Sequence, residues 1–219
     1  MSDPTDTGPN GEPPATPRAS HLGYVAHEIR NPLSTALWTA ELLARLPPEE
    51  RGGARGERLA GMCMRSVARL RLLFEDHFLS ERLDAGGYPV RPEPLLLAEV
   101  LDDAVARKPT AAIPIERAID DGLRVMADRA ILGRVLDALL AASAVEVAAV
   151  AVAASRQGAR VEVRVSGAAP GSLTDPGKGA PSEQRGRSLA LPMARRAAAA
   201  LGGSLEVVGG AYLLSIPPA

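Results

Sequence analysis

The chain has 219 residues, enough for one large domain or two small ones with a substantial buried core. Its formal net charge is −1, so no global field attracts nucleic acid or an anionic membrane. Only 3% of its residues are aromatic, which argues against stacking platforms for single-stranded nucleic acid. The single cysteine, Cys63, excludes an internal disulfide framework and a cysteine-rich zinc site. A function that depends on histidine must use His21, His27 or His77.

No stretch of the sequence predicts a membrane span or a secretory signal. The most apolar stretch, residues 131–154, contains Arg134, Asp137 and Glu146, whereas a spanning helix needs about 20 predominantly apolar residues. The N-terminal residues lack the apolar core of a signal peptide. We therefore expect a soluble, cytoplasmic protein with no membrane partner and no nucleic-acid partner.

The N-terminal part of the chain predicts a tail followed by two long helices. Residues 1–19 contain five prolines and almost no large apolar side chain, so we expect them to be disordered. Residues 20–46 predict a helix, with Ser20 as its N-cap and Pro32 as a kink inside it. Residues 57–84 predict a second helix that ends at a Gly-Gly pair. Apolar residues recur at helical spacing in the first helix: Leu22, Val25, Ile29, Leu33, Leu37, Ala40 and Leu43.

Two long helices joined by a short loop form an antiparallel hairpin, and a single hairpin has no closed core. Pairing with a second copy would close that core as a four-helix bundle, so we expect a homodimer. We assign residues 20–86 to this hairpin domain and residues 88–219 to a second domain.

From residue 88 onward, short strand patterns alternate with amphipathic helical patterns. This order predicts an α/β sandwich of helices over a mixed sheet, so the fold class of the whole chain is α+β. Residues 167–186 are rich in Gly, Pro and Ser and predict a loop. The predicted helices are 95–107, 128–143 and 189–201, and the predicted strands are 113–119, 123–127, 145–155, 160–166, 204–208 and 211–216.

The run that begins at His27 is the strongest candidate for chemistry. At helical spacing, His27 and Asn31 lie one turn apart on one face, next to the carboxylate of Glu28. A solvent-facing imidazole is a nucleophile near neutral pH, and a neighbouring carboxylate can hold its tautomer and exchange its proton. The amide of Asn31 can orient a water or a phosphoryl oxygen. A zinc-binding HExxH reading fails because position 31 is Asn, and an incidental histidine without a role stays an alternative.

The string HLGYVAHEIRNPLSTALWTAELL, residues 21–43, resembles the phospho-accepting H-box of bacterial sensor histidine kinases. Its core pattern HExxNPL is matched at His27, Glu28, Asn31, Pro32 and Leu33. The resemblance implies that His27 carries a phosphoryl group as phosphohistidine. It also implies that Glu28 assists the transfer and that Asn31 assists dephosphorylation of a partner receiver domain.

Residues 94–217 resemble the ATP-binding domain of the same family, but the nucleotide-binding residues depart from its pattern. The two positions where the family has Mg²⁺-ligating Asn are Ala138 and Ala142, and a methyl group cannot coordinate a cation that requires oxygen ligands. The adenine-reading Asp is replaced by Gly167, and a glycine of the same box by Ala169. The second glycine box, around Ser188, keeps only part of its pattern. We therefore expect no ATP-driven autophosphorylation.

These residues lead to the hypothesis of a histidine phosphotransferase with no cofactor of its own. A receiver domain phosphorylated on aspartate donates to His27, which passes the group to a second receiver, and each receiver supplies its own Mg²⁺. The receiver footprint is predicted around Tyr24, Ala26, Arg30 and Leu33. Two alternatives stay open: a divergent but active sensor histidine kinase, and a non-catalytic pseudokinase that binds a receiver domain.

Overall fold

A computed structural model describes the chain in four stretches, residues 17–107, 114–144, 149–167 and 190–219. Side chains are described from Val25 onward. The chain packs as two compact units, Met1–Val67 and Ala68–Ala219, which divide within the second long helix. Most of the predicted tail, most of the predicted loop 167–186 with Ala169, and Ser188 lie outside the described residues. The predicted division into a hairpin domain and an α/β domain stays a prediction.

The first helix, α1, spans Pro17–Arg45 and begins three residues before the predicted N-cap, Ser20. Proline is favoured in the first turn of a helix, where its missing N–H costs no hydrogen bond. The helix therefore extends into residues that their composition assigned to the tail. Pro32 lies inside α1 as predicted, and the helix continues past it.

A short helix, α2, spans Pro48–Arg51 within the predicted linker, and the second long helix, α3, spans Ala54–Asp84. The guanidinium of Arg51 donates hydrogen bonds to the carbonyls of Leu46 at 2.9 Å and Ala44 at 3.0 Å. The last carbonyls of a helix have no partner within it. Arg51 therefore satisfies carbonyls where α1 ends and the turn of the hairpin begins.

Within the first unit, some apolar side chains are buried and others are exposed. Val25 and Leu59 are buried, and the Sγ of Cys63 lies 3.6 Å from the carbonyl oxygen of Ala36, which joins the two long helices. The exposed apolar side chains of this unit are Leu33, Leu37, Trp38, Met64 and Val67. The hairpin thus leaves an apolar surface uncovered within a single chain, which is the surface that the predicted dimer requires.

The described strands of the second unit form two β-sheets. In the smaller sheet, β1 (Glu93–Leu96) pairs antiparallel with β3 (Arg124–Ala127). The larger sheet is built from β2 (Ile115–Ile119), β4 (Val150–Gln157), β5 (Arg160–Ser166), β6 (Ser204–Val208) and β7 (Ala211–Ile216). Its strand order is β2-β4-β5-β7-β6, in which β2 and β4 are parallel and the other neighbours are antiparallel.

Besides the C-terminal part of α3, the described residues of the second unit form helices α4 (Leu97–Ala106), α5 (Arg129–Ser143) and α6 (Ala190–Ala200). Helix α5 is largely buried, and strand β5 alternates buried and exposed positions, as expected for a sheet covered on one face. Buried side chains from the helices and the strands form one hydrophobic core. The predicted α/β sandwich, and with it the α+β class of the chain, is confirmed.

Strand β1, like the short helix α2, was not predicted from the sequence. Leu95 and Leu96 were assigned to the following helix, whereas the structure places them in β1, opposite Val125 and Arg124. The strand exists because β3 pairs with it, and this pairing has no local signal in the sequence. The C-terminal residues join the same sheet, because the N–H of Met126 donates to the carbonyl of Pro217 at 3.0 Å.

Candidate functional site

His27 lies on the exposed side of α1, as predicted. Its side chain is 47% exposed, so the imidazole is accessible to a partner molecule. Ala26, Arg30 and Asn31 are exposed beside it, whereas Val25 is buried. The helical period explains this contrast, because it turns the small and polar residues near His27 toward solvent and Val25 toward the interior.

Glu28 has the opposite environment, because its side chain is only 2% exposed. Its Oε1 lies 4.0 Å from Nδ1 of His27, which is an ion-pair distance when the imidazole is protonated but too long for a hydrogen bond. Since Nδ1 is the ring nitrogen near Glu28, Nε2 is the nitrogen left for an incoming electrophile.

Asn31 follows His27 by one helical turn, and its side chain is exposed. The main-chain carbonyl of Asn31 accepts a hydrogen bond from the Oγ1 of Thr35 at 3.1 Å. Pro32, the next residue, is buried and has no N–H to donate to the carbonyl one turn back. The amide of Asn31 is therefore presented to solvent on the same helix as the imidazole, as the spacing predicted.

The predicted receiver footprint is only partly described. Ala26 and Arg30 are exposed, and Leu33 is 44% exposed although its position in the apolar stripe suggested burial. The side chain of Tyr24 lies outside the described part of the chain. The footprint stays a prediction, with three of its four members accessible at the surface of α1.

In the second unit, Ala138 and Ala142 lie on the buried side of α5 and are 8% and 1% exposed. They line a cleft of about 160 Å³, together with Leu72 and Leu73 of α3 and Met193 of α6. Their methyl groups offer no oxygen to a hard cation. The side chains at these two positions therefore do not fit a bound Mg²⁺.

Gly167 ends β5 in a backbone conformation that favours glycine, with φ at +139°. A Cβ atom at this position would lie 2.9 Å from the carbonyl oxygen of Ala149 and 3.0 Å from that of Ser143. Side chains do not occupy such positions without a shift of the backbone. An adenine-reading Asp does not fit at residue 167 in this structure.

Asp128 is a structural residue whose role the sequence analysis missed. It is 7% exposed, and its Oδ1 accepts hydrogen bonds from the N–H groups of Ala130 at 3.0 Å and Ile131 at 3.1 Å, as an N-cap does. Its Oδ2 accepts from the N–H of Arg91 at 3.0 Å. An Asp that precedes an amphipathic run is a recognisable N-cap signal, whereas the link to Arg91 has none.

A second missed feature is a charged cluster at the cleft. The carboxylate of Asp76 on α3 forms an ion pair with the guanidinium of Arg134 on α5. Burial raises the pKa of Asp76 above its ordinary value, and the positive charge of Arg134 only partly offsets this. The carboxylates of Glu75 and Asp137 raise the pKa of Asp76 further. Because 58 residues separate Asp76 from Arg134, nothing in the local sequence signals the contact.

Two further observations concern the described residues alone. No three His, Cys, Asp or Glu side chains come together there in a group that could hold a metal ion. No helix in those stretches has both the length and the apolar character needed to cross a bilayer.

Comparison with known proteins gives one family match. Residues 18–86 match the family model of the His Kinase A (phospho-acceptor) domain. This matched segment contains His27 and most of both long helices. No curated protein matches the sequence. The match covers less than half of the chain, and it covers the segment that carries the H-box pattern.

Solved structures share the fold over most of the chain. The Acinetobacter baumannii histidine kinase AdeS is 18% identical with a TM-score of 0.62, and the alignment covers 87% of this chain and 97% of that one. Histidine kinase ThkA, solved in complex with the response regulator protein TrrA, is 17% identical with a TM-score of 0.59, covering 91% and 61%. Full-length ShkA in complex with AMPPNP is 23% identical with a TM-score of 0.57, covering 91% and 46%.

These matches agree with the geometry of the two units. Residues 18–86 match a phospho-acceptor domain of the histidine kinase type, and the fold of the described residues, a helical N-terminal region followed by a mixed-sheet domain, matches that of solved histidine kinases. His27 lies within the segment that matches the phospho-acceptor family model.

Proposed function

We propose that this protein is a histidine phosphotransferase that moves a phosphoryl group between receiver-domain aspartates through His27, without autophosphorylation from ATP. The observation that carries the proposal is the contrast between the two units. The imidazole of His27 is exposed beside the buried carboxylate of Glu28, whereas the residues at the nucleotide positions Ala138, Ala142 and Gly167 do not fit Mg²⁺ or adenine.

In the first transfer step, the lone pair of Nε2 on His27 attacks the phosphorus of an aspartyl phosphate in line with the bond that breaks. The P–O bond to the aspartate carboxylate breaks, the carboxylate is released, and Nε2 carries the phosphoryl group. Glu28 balances the positive charge that then develops on the ring through its contact at Nδ1. The second step reverses these events toward the aspartate of another receiver.

Asn31 is placed for a separate reaction. Its exposed amide, one turn from His27, can orient a water molecule toward the aspartyl phosphate of a bound receiver. Attack by that water releases inorganic phosphate and returns the aspartate, so the same face of α1 would also act as a phosphatase. In this role the Oδ1 of Asn31 accepts a hydrogen bond from the water, its NH₂ group can donate to a phosphoryl oxygen, and the amide takes up no proton.

The partner in this proposal is a response regulator receiver domain, which supplies both the aspartate and the Mg²⁺. Supporting this choice, the structurally similar histidine kinase ThkA was solved with a response regulator protein. On this chain the contact surface would centre on Ala26, Arg30 and Leu33, with Tyr24 at its edge. Arg30 is the cation of this set and suits the acidic pocket of a receiver.

A second copy of this chain is the other partner in the proposal. Leu37 and Trp38 on α1 are 58% and 57% exposed, and Met64 and Val67 on α3 are exposed as well. Large exposed apolar patches on soluble proteins mark interaction sites. Pairing of two hairpins would bury it in a four-helix bundle.

A divergent but active histidine kinase is the second candidate. It is favoured by the retention of the complete kinase fold, since the AdeS alignment covers 87% of this chain. In this alternative the second unit binds ATP through contacts other than Ala138, Ala142 and Gly167. The third reading, a pseudokinase that binds a receiver without transfer, shares the same partner.

One experiment with two phosphoryl donors separates the three readings. The purified protein is incubated with radiolabelled ATP and Mg²⁺ and, separately, with receiver domains of the source organism that have been phosphorylated by acetyl phosphate. The proposal expects acid-labile label on the protein from a receiver and none from ATP, and it expects His27→Gln to abolish this label. His21→Gln, a change on the same helix, is the matched control and should retain it.

Each other outcome points to one alternative. Label from ATP on His27 would overturn the proposal in favour of the divergent kinase. Label from neither donor, with stable receiver binding in a pull-down, would favour the pseudokinase.

A further inference from the structure

The C-terminal half of α3, residues 68–84, packs with the α/β elements rather than as a separate helix. Within this segment, Leu79 and Leu83 pack against the hydrophobic core of the second unit. Leu73 and Ser80 are buried, at 3% and 4% exposure. We call residues 68–84 the docked segment.

An arginine from α5 meets the docked segment at two successive acids. Arg134 forms a close hydrogen-bonded ion pair with Asp76, and its second terminal nitrogen lies 3.4 Å from the Oε2 of Glu75. The side chains of Asp76 and Arg134 are 15% and 24% exposed, so both charges are largely removed from water. Such charges are costly unless each has its partner.

The cluster around Arg134 is rich in carboxylates. Asp76 and Glu75 come from α3, and Asp137 lies on α5 within electrostatic range of Asp76. Asp137 also accepts from Arg107 at 3.2 Å, and Arg69 of the docked segment lies at the same cleft. Arg134 contacts both Glu75 and Asp76, so its loss would leave the largely buried Asp76 without its ion-pair partner.

A second ion pair holds the end of the docked segment, but it is exposed. The Nε of Arg196 on α6 lies 2.9 Å from both carboxylate oxygens of Asp84. Surface pairs of this kind contribute little, because water and salt screen them. The two pairs therefore compare two half-buried arginines whose acid partners differ, because the side chain of Asp76 is 15% exposed and that of Asp84 is 48% exposed.

We propose that docking of residues 68–84 on the α/β domain depends on the charge of Arg134, which neutralises Asp76 and Glu75. Arg134, Ala138 and Ala142 follow one another at four-residue spacing on α5 and line the same cleft as Asp76. Without the guanidinium, the buried carboxylate drives the docked segment away from α5. The dependence of docking on the charge of Arg134 does not rest on which donor phosphorylates His27.

Hydrogen exchange of the full-length protein tests this charge dependence. Arg134→Met keeps much of the apolar stem but removes the charge, and we expect amide exchange in residues 68–84 to rise about tenfold or more. Arg196→Met is the matched control, with an expected rise of less than about fivefold. Exchange in the β4–β5 hairpin should stay unchanged in both variants.

A double variant separates charge from packing. Adding Asp76→Asn to Arg134→Met removes the stranded carboxylate, and we expect protection of residues 68–84 to return to within about threefold of the wild-type value. Unchanged exchange in Arg134→Met, or failure of the double variant to recover protection, would show that docking does not depend on this charge. If Arg134→Met fails to fold, the double variant alone decides, because the proposal requires it to fold and to protect the segment.

Discussion

His27 and Glu28 are adjacent in sequence, yet their side chains lie in opposite environments, one 47% exposed and the other 2% exposed. The backbone of α1 turns about 100° per residue, so one neighbour faces solvent while the other faces the interior. The distance of 4.0 Å between Nδ1 and Oε1 joins an accessible ring to a carboxylate that solvent does not screen. The pair can therefore act as a unit in which only the imidazole meets a partner.

Replacement of Glu28 by Gln should slow phosphotransfer far more than it destabilises the protein. The change keeps the shape of the side chain but removes the charge that balances a phosphorylated or protonated ring, so we expect a loss of about 100-fold in transfer rate. The melting temperature should stay within a few degrees, because a neutral amide is less costly to bury than a carboxylate. Quenched time courses of phosphotransfer measure the rate, and thermal unfolding measures the melting temperature.

Glu41→Gln is the matched control for this prediction. Glu41 is an exposed acid on the same helix, where it pairs with Arg45 at 3.8 Å. Its replacement should leave the transfer rate unchanged. Equal rates in Glu28→Gln and the wild type would remove Glu28 from the transfer mechanism.

Replacement of Gly167 by Asp should destabilise the second unit and should not create an adenine site. The conformation at φ +139° costs a side chain about 1–3 kcal/mol, and the close carbonyls of Ala149 and Ser143 add to this cost. Gly158→Asp is the control, because Gly158 has φ +59° with open space around it, and Asp tolerates that conformation. Urea unfolding should show the larger loss for Gly167→Asp, and equal losses would contradict the argument.

The sequence predicted the helices and strands that follow from the local periodicity of apolar residues. The helical period placed His27, Arg30 and Asn31 on the exposed side of α1, and the strands 160–166 and 204–208 were predicted within their observed bounds. The missed features depend on long-range contacts. Strand β1 forms because β3 pairs with it, and the buried pair of Asp76 and Arg134 forms only when α3 meets α5.

The stability of the protein should depend on pH through Asp76. Because burial raises its pKa in the folded state above the ordinary value of 3.8, the folded state favours the protonated carboxyl. This contribution is fully present below pH 3.8 and is lost as the pH rises through the raised pKa. Relative to Asp76→Asn, the wild type should therefore lose stability between pH 3.8 and neutral pH.

Urea unfolding of the two proteins across this range measures the difference directly. Asp102→Asn serves as the control, because Asp102 is 60% exposed in its pair with Arg117 and should give a nearly flat difference. A wild type that gains stability over Asp76→Asn as the pH rises would reverse the sign and contradict the assigned cause.

The exposed apolar surface of the hairpin predicts that a single acidic substitution prevents dimerisation. Leu37 is 58% exposed in the single chain, and Leu37→Glu would place a charge in the interface between two copies, where its desolvation is not compensated. We expect the wild type to sediment as a dimer at micromolar concentration and Leu37→Glu as a monomer. Arg156→Glu, in the β4–β5 hairpin, introduces the same side chain elsewhere and should remain dimeric.

Trp38 gives an independent measurement of the same interface. It is the only tryptophan of the chain and is 57% exposed, so its emission reports whether that part of α1 is covered. The emission maximum of the wild type should shift to longer wavelength on dilution, as the dimer dissociates and water reaches the indole. In Leu37→Glu the maximum should already be at the longer wavelength and should not depend on concentration. A wild-type protein that sediments as a monomer, with emission that is also independent of concentration, would contradict pairing through this face.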